Sequence, residues 1–368
     1  MRLTELAVEN FRCHKAARIE LAGGPVALVG ENGGGKTSLL EAAYLLATRK
    51  SFRTAQLGRL VRQGAPAGAA RGVWSAPKQR PRVREARLAA RGAVFLYDDK
   101  PLQKGELPEF IPVVAFCREF LLVLTGPPEA RRRYLDRGLA AAEPGYVRLL
   151  AELRRGLRHK QAALAGRSLA ELRAVNQALC VTAFKVQRSR ARFVERLNAA
   201  LPLLGEELRA ADPSLEVPLT LAYRPSPGVL PDILAGETHA HRLAWEAKLG
   251  DERTRGMSLV GPQRDDLALL WETRPVTQAS GGQQRLALYL LSRAVVEVLA
   301  RRYGAEPLFL YDDADAELDE KRLGAVLRSL SGAPGQLLIT AKRRAVADLL
   351  PAGRTVYSVS PGRVERAD

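Results

Sequence analysis

Gly30-Glu31-Asn32-Gly33-Gly34-Gly35-Lys36-Thr37 follows the apolar run Val26 to Val29 and opens an apolar helix, Thr37 to Ala47. A glycine-rich turn between a buried strand and a buried helix leaves few folds open, because both must lie inside a layered α/β core. The glycines let backbone N–H groups converge on one point, and the helix adds the positive end of its dipole. Such a P-loop binds phosphate. In this reading Gly30, Gly33, Gly34 and Gly35 cradle the phosphates of ATP, Lys36 neutralises its β- and γ-phosphates, and Thr37 offers a hydroxyl to Mg2+. Leu39, Leu40, Ala42, Ala43, Leu45 and Leu46 make the helix apolar on most faces, as an interior helix is.

An ATP site also needs a carboxylate on the metal side, at the end of an apolar strand. Leu308-Phe309-Leu310-Tyr311-Asp312-Asp313 has that form. Asp312 is expected to hold Mg2+ through water, and Asp313 to orient or deprotonate the attacking water. A third element, Ala279-Ser280-Gly281-Gly282-Gln283-Gln284-Arg285, precedes an apolar helix from Leu286 to about Leu299. Ser280 suits an N-cap, and the two glycines expose N–H groups at a helix end, which makes a second anion site. Two phosphate-binding helix ends allow one γ-phosphate to be gripped from both sides, within one chain or between two.

Strands are expected at Leu3 to Val8, Ala17 to Leu21 and Val26 to Val29. From Lys50 to Arg91 there are eleven basic residues and one acid, Glu85, interrupted by a Gly/Ala/Pro run at Gly64 to Ala70. Ala93 to Tyr97 reads as a strand with Asp98-Asp99-Lys100 as its hairpin turn. Pro127-Pro128-Glu129 starts a helical segment that runs as two or three long helices to about Leu204, closed by a turn-rich region from Pro202 to Pro231. Later come the Ser280 helix, the strand Leu308 to Tyr311 and a final strand, Gln336 to Thr340. No internal repeat is found. The expected division is an N-terminal ATPase part at 1–125, a helical insertion at 126–245 and a C-terminal ATPase part at 246–368.

A chain of 368 residues with 46% apolar content can bury one large core or two. No apolar stretch has signal-peptide or membrane-spanning length, so a cytoplasmic location without a membrane partner is expected. Cys13, Cys117 and Cys180 are far apart and read as reduced thiols. His239 and His241 share one face if the segment is a strand, but with no Cys or third His nearby they read as a loop. The formal charge of +17 favours a polyanionic partner. Arginine supplies 46 of the 57 basic residues, so part of that excess reflects a compositional bias.

The P-loop, the SGGQ run and the Asp312-Asp313 strand end, followed by Ala316-Glu317-Leu318-Asp319, resemble an ABC-type ATPase head. The narrower resemblance is to the RecF family of bacterial recombination mediators. It is carried by Leu6-Ala7-Val8-Glu9-Asn10-Phe11-Arg12, the stretch from Gly30 to Thr54, Arg131-Arg132-Arg133-Tyr134-Leu135-Asp136, Gly261-Pro262-Gln263-Arg264-Asp265-Asp266 and Gln336-Leu337-Leu338-Ile339-Thr340. It implies an ATPase head built from both chain ends with an inserted helical lobe. It also implies a weak, Mg2+-dependent cytoplasmic ATPase of DNA replication, repair and the SOS response. That ATPase would dimerise on ATP, bind single-stranded and duplex DNA at gapped junctions, and help load RecA with RecR and RecO. Nucleotide contacts would then fall on Asn32, Gly33, Gly35, Lys36, Thr37 and Ser38, with Ser280, Gly282 and Gln283 acting on the partner's ATP. Three departures stand out. Asp313 replaces the Glu of many ABC ATPases, Gln263 stands where the family has His, and Thr340 is followed by Ala341-Lys342-Arg343 with no switch His.

Phosphate contacts need basic residues on an open face. Arg80, Arg82 and Arg84, with Trp74 for stacking, form one stripe, and Lys185, Arg188, Arg190, Arg192 and Arg196 a second. Arg131 to Arg133 either join them or pair with carboxylates between lobes. A transporter-type subunit shares all three ATP motifs, but the long basic separation between Lys36 and Ser280 argues against it. A chromosome-organising SMC-type head would need longer sustained heptads. A nucleotide-gated DNA clamp with negligible turnover fits the same sequence.

Overall fold

Leu3, Leu6 and Val8 are all buried, although a regular strand would point Leu3 away from the other two. A register shift between Leu3 and Glu5 resolves this, since one extra residue turns Leu3 onto the same face. This strand, Arg2–Phe11, pairs antiparallel with His14–Glu20 on one side and Ala67–Ser75 on the other. Arg82–Ala89, Gly92–Tyr97 and Lys100–Pro101 extend the sheet. The computed structural model describes the chain except residues 22, 77, 104–110, 167–168, 227–229, 237–238, 305, 318–319, 332–334 and 368.

The Gly/Ala/Pro run expected to interrupt this region leads into the strand Ala67–Ser75. Small side chains are what let it pair there: a Cβ on Gly68 would stand 2.3 Å from the Asn10 carbonyl oxygen. The expected hairpin at Asp98-Asp99 is present. Both residues have positive φ, 46° and 64°, between strands whose ends pair Tyr97 with Lys100.

The second sheet runs, in spatial order, Arg363–Arg366, Thr355–Ser360, Val26–Val29, Gln336–Ala341, Leu308–Tyr311 and Val113–Phe116. All neighbours are parallel except the outermost pair, Arg363–Arg366 with Thr355–Ser360. Its central strands are buried along their whole length, as parallel strands covered on both faces must be. Gln336–Ala341 is therefore not the last strand. Gln336 also ties the two sheets: its buried amide accepts from Leu3 N at 2.9 Å and donates to Leu3 O at 2.6 Å.

Both sheets belong to a first compact unit made of residues 1–119, 203–216 and 288–368. A second unit comprises residues 120–202 and 217–287, so the segment around Ser280, grouped by sequence with 246–368, falls in it. The second unit holds the helices Pro128–Ala142, Tyr146–Gly166 and most of Leu169–Ala211, with a small sheet of Leu219–Arg224, Asp266–Trp271 and Arg274–Pro275. Helix Leu169–Ala211 continues through Pro202, where the sequence suggested turns. Leu204 and Leu208 are buried beyond the proline, and their burial offsets the one hydrogen bond it removes. The turn-rich region also contains the strand Leu219–Arg224. His239 and His241 lie on the helix His239–Ala247, not in a loop, and only His241 is buried.

Two of the family-like motifs meet inside the second unit. Arg190 is buried and donates to Asp136 at 3.0 Å, to Asp265 at 2.8 Å and to Pro262 O at 2.7 Å. Arg131 grips Asp266 through two bonds of 2.7 and 3.1 Å, and Arg132 donates to Asp265 O at 2.7 Å. Asp265 also accepts from Gln187, Tyr223 and the Ser226 N–H. These arginines brace one unit internally. Among the described residues Arg133 pairs with Glu129 on its own helix.

Candidate nucleotide site

In parallel α/β sheets ligands collect beyond the carboxyl ends of the strands. Three such ends adjoin here, because Gln336–Ala341 lies between Val26–Val29 and Leu308–Tyr311. Register places Ala341 opposite Val29 and Ile339 opposite Tyr311, so Thr340 lies one residue beyond the last pair, level with Asp312. Asp312 thus meets two hydroxyls: Thr340 Oγ1 donates to Oδ1 at 2.7 Å, and Thr37 Oγ1 reaches Oδ1 and Oδ2 at 2.9 and 3.0 Å. The half-buried Asp313 follows at a φ of 49°, its N–H bonded to Thr340 Oγ1 at 2.8 Å.

Gly30, Asn32, Gly33, Gly34 and Gly35 form the turn before helix Lys36–Thr48, with Ser38 buried in its first turn. Gly35 caps the helix at a φ of 105°, and a Cβ there would stand 2.3 Å from His14 Nε2. Gly30 is equally confined, since its Cβ would meet Val359 O at 2.0 Å. Lys36 is buried, its ammonium donating to Gly30 O at 2.7 Å and Glu31 O at 3.1 Å. A cation, two hydroxyls and two carboxylates therefore gather at the carboxyl ends of three adjoining strands. The Thr37 hydroxyl and Asp312 carboxylate are hard oxygen donors at hydrogen-bond distance, a set that fits Mg2+.

A family model described as RecF/RecN/SMC N terminal domain matches residues 2–363. The DNA replication and repair protein RecF of Anaeromyxobacter sp. (strain Fw109-5) is 36% identical over 371 residues, covering 99% of each chain. The chain belongs to the RecF family. RecF of Thermomicrobium roseum is 33% identical, covering 99% of this chain and all of that one. Among solved structures, the recombination mediator RecF-ATP in the RecFOR pathway superposes with a TM-score of 0.84 at 24% identity, covering 100% and 98% of the two chains. An SMC head bound to the C-winged helix domain of ScpA gives 0.60 at 13%, covering 100% and 97%. The fold is that of an ABC-type ATPase head.

Ser280 and Gln283 of this RecF-family chain form a reciprocal cap on helix Gly281–Tyr303. Ser280 N donates to Gln283 Oε1 at 2.9 Å, and Gln283 N to Ser280 Oγ at 3.3 Å. Gly282 lies between them, and Ser280 is exposed. Ala316 and Glu317 end the short helix Ala314–Glu317, while Leu318 and Asp319 lie outside the described residues.

The first basic stripe is largely withdrawn into the fold. Arg84 is buried, its guanidinium 5.9 Å from the Trp74 ring and 5.7 Å from that of Tyr97, and Trp74 is itself fully buried. Neither presents an open face to DNA. Arg80 and Arg82 both reach Asp98, at 3.3 and 2.8 Å, and only Arg80 is largely exposed. The Val83 N–H, then Arg82 and Arg80, hold the Asp98 carboxyl below its usual range. On the second stripe Lys185 and Arg192 are exposed, Arg188 is half-buried beside Gly236, and Arg190 is internal.

Sequence reasoning missed three contributors. Arg12 donates to the fully buried Glu41 of the P-loop helix at 2.9 and 2.8 Å, and Ser51 bonds the same carboxylate. His14 Nε2 lies 3.0 Å from Gly35 O. Asp315 accepts the N–H groups of Lys342 and Arg343, fixing the chain after Thr340 where a switch His was sought. A period-two strand pattern carries no trace of these contacts; a lone acid on an otherwise apolar helix, Glu41, is the only usable signal.

Proposed function

We propose that the protein is an ATP-dependent DNA-repair mediator whose two halves of a nucleotide site are completed by a second copy. The observation that carries this reading is the gathering of Lys36, Thr37, Asp312 and Thr340 at the carboxyl ends of adjoining strands, while the capped, exposed helix end at Ser280 belongs to the other unit. Lys36 would swing from the Gly30 and Glu31 carbonyls to the β- and γ-phosphates. Thr37 and Asp312 would hold Mg2+, which supplies charge neutralisation at the phosphates. Asp313 would orient the attacking water, and its short side chain suits a slow switch. Ser280, Gly282 and Gln283 would address the partner's ATP.

The similar solved protein is the recombination mediator RecF-ATP in the RecFOR pathway, which supports ATP as the nucleotide and RecO and RecR as the setting; RecA loading is the role we assign to that mediator. DNA contact would fall on Arg192 and Lys185, with Arg188 and Arg80 at the margins. Sedimentation with and without ATP and Mg2+ tests the dimer: a protein that stays monomeric in both contradicts action of Ser280 in trans. An ATPase assay with no DNA, single-stranded, duplex and gapped DNA at two salt concentrations tests the partner. Stimulation that fades with salt is expected. ATP-dependent dimers that bind DNA with no measurable turnover would identify a nucleotide-gated clamp.

A further inference from the structure

Ser280 stands just beyond a hairpin. Strand Asp266–Trp271 turns at Glu272 and Thr273, and the returning chain pairs Arg274 with Trp271 and Pro275 with Leu270. The chain therefore runs back along Asp266–Trp271 as it enters the single turn Val276–Gln278, which packs against that strand. Val276 is buried, and Ala279 N closes the turn on Val276 O at 3.0 Å. Gln284 Nε2 donates to Ala279 O at 2.9 Å, which joins the turn to the start of helix Gly281–Tyr303 around Ser280. The same turn packs against the short helix Leu122–Thr125. Where the turn is seated decides where the Ser280 hydroxyl points.

Arg131 is bonded to both of these flanking elements. Its Nε and Nη2 hold the carboxylate of Asp266, the first residue of the strand, at 2.7 and 3.1 Å. Its Nη1 donates at 2.9 Å to the carbonyl of Gly126, which caps the short helix. Helix Pro128–Ala142, which carries Arg131, lies on the same strand. A planar guanidinium serves the carboxylate and the carbonyl at once, whereas an ammonium is a point charge on a flexible stem. We propose that Arg131 is a positioning residue for the nucleotide of a second copy: it fixes strand Asp266–Trp271 against helix Leu122–Thr125, and so the seat of the turn that aims Ser280. The proposal rests on the reading in which Ser280 addresses the partner's ATP. Arg131 acts through that cap and touches no phosphate itself. Loss of the fork therefore weakens the two-copy state and spares nucleotide binding by one copy, because Lys36, Thr37 and Asp312 belong to the first unit.

The test compares variants of the full chain. Arg131→Met removes the bonds to Asp266 and Gly126 at similar side-chain length, and Arg131→Lys keeps the charge without the fork. Asn198→Ala is the control: Asn198 bonds Leu221 N and O at 2.9 and 2.8 Å, on the strand at the far edge of the same small sheet from Arg274–Pro275. Thermal melts, affinity for a fluorescent ATP analogue and sedimentation with ATP and Mg2+ are measured for each. Arg131→Met should bind the analogue with nearly unchanged affinity while its ATP-dependent dimer weakens about tenfold. Arg131→Lys should fall between it and the unaltered chain, and Asn198→Ala should melt earlier with its dimer intact. An Arg131→Met dimer as tight as the unaltered one overturns the proposal, as does equal weakening in Asn198→Ala, which would make Arg131 a general brace. Should the Met variant not fold, the Lys variant decides, and an unweakened dimer there overturns the proposal. An unaltered chain that stays monomeric with ATP sinks the two-copy reading, and the positioning of Ser280 with it.

Discussion

Thr340 donates to Asp312 Oδ1 at 2.7 Å while its own oxygen accepts the Asp313 N–H at 2.8 Å, so one hydroxyl sets both acidic residues. Thr340 is fully buried, and Val is close to it in shape. Thr340→Val would leave the Asp313 N–H without the acceptor it has here and take one of two hydroxyl donors from Asp312, at a cost of about 1–3 kcal/mol. The melting temperature should fall, and ATP hydrolysis should fall more than affinity for ATP. Thr340→Ser should recover most of both. A Val variant with unchanged turnover would show that the strand-end hydroxyl does not position Asp312.

Lys36 and Asp313 divide binding from chemistry in the proposed site. Lys36→Ala removes the ammonium now held by Gly30 O and Glu31 O and should weaken ATP binding about tenfold or more. Asp313→Asn keeps the backbone bond to Thr340 and should leave binding intact while blocking hydrolysis. Isothermal titration and single-turnover hydrolysis separate the two effects. Equal loss of binding in both variants contradicts the division.

The P-loop and the Asp312 strand end were legible because each motif binds a local conformation to a chemical role. Their spacing alone places a turn after one buried strand and a carboxylate after another. What joined them was not legible: Thr340 matters only because register sets it level with Asp312, and register is a property of paired strands. The basic stripe shows a related limit. Alternation puts Arg80, Arg82 and Arg84 on one face, but the strand begins only at Arg82; Arg82 and Arg84 both lie over the Tyr97 ring, yet Arg84 also reaches Trp74 in the interior while Arg82 reaches Asp98. Long side chains on one face can end in different surroundings. The strands Thr355–Ser360 and Arg363–Arg366 are short and interspersed with Ser, Arg and Glu, and what reveals them is pairing: with each other across Pro361-Gly362, and of the first with Val26–Val29.

Ser280 and Gln283 exchange hydrogen bonds across the first turn of a 23-residue helix. Ser280→Ala removes one arm of that cap and costs about 1 kcal/mol, little against a buried helix of this length. The monomer should therefore fold and bind ATP with near-normal affinity. Its ATP-dependent dimer should be weakened, because the lost hydroxyl belongs to the end proposed to meet the partner's nucleotide. Analytical ultracentrifugation with ATP reads this directly, and an unweakened dimer counts against the role of Ser280.

His241 packs against the rings of Phe184 and Trp245, at 5.4 and 6.0 Å, and among the described residues neither of its ring nitrogens has a hydrogen-bond partner. Burial pushes the imidazole down to about 4 from an ordinary 6.5. The charged pair beside Trp245, Lys160 and Glu252, is closed on itself at 2.8 Å, with the Lys160 ammonium over the Trp245 ring. Between pH 6.5 and 4 the unfolded chain binds a proton at His241 that the folded chain refuses. The stability held by the neutral imidazole is therefore complete above about pH 6.5 and is lost as pH falls towards 4. His241→Phe cannot titrate and removes that component. Urea midpoints measured from pH 7 to 4.5 should drop more steeply for the unaltered chain than for His241→Phe, whatever the other groups contribute to both. Parallel profiles would mean that His241 is protonated or hydrated in the fold.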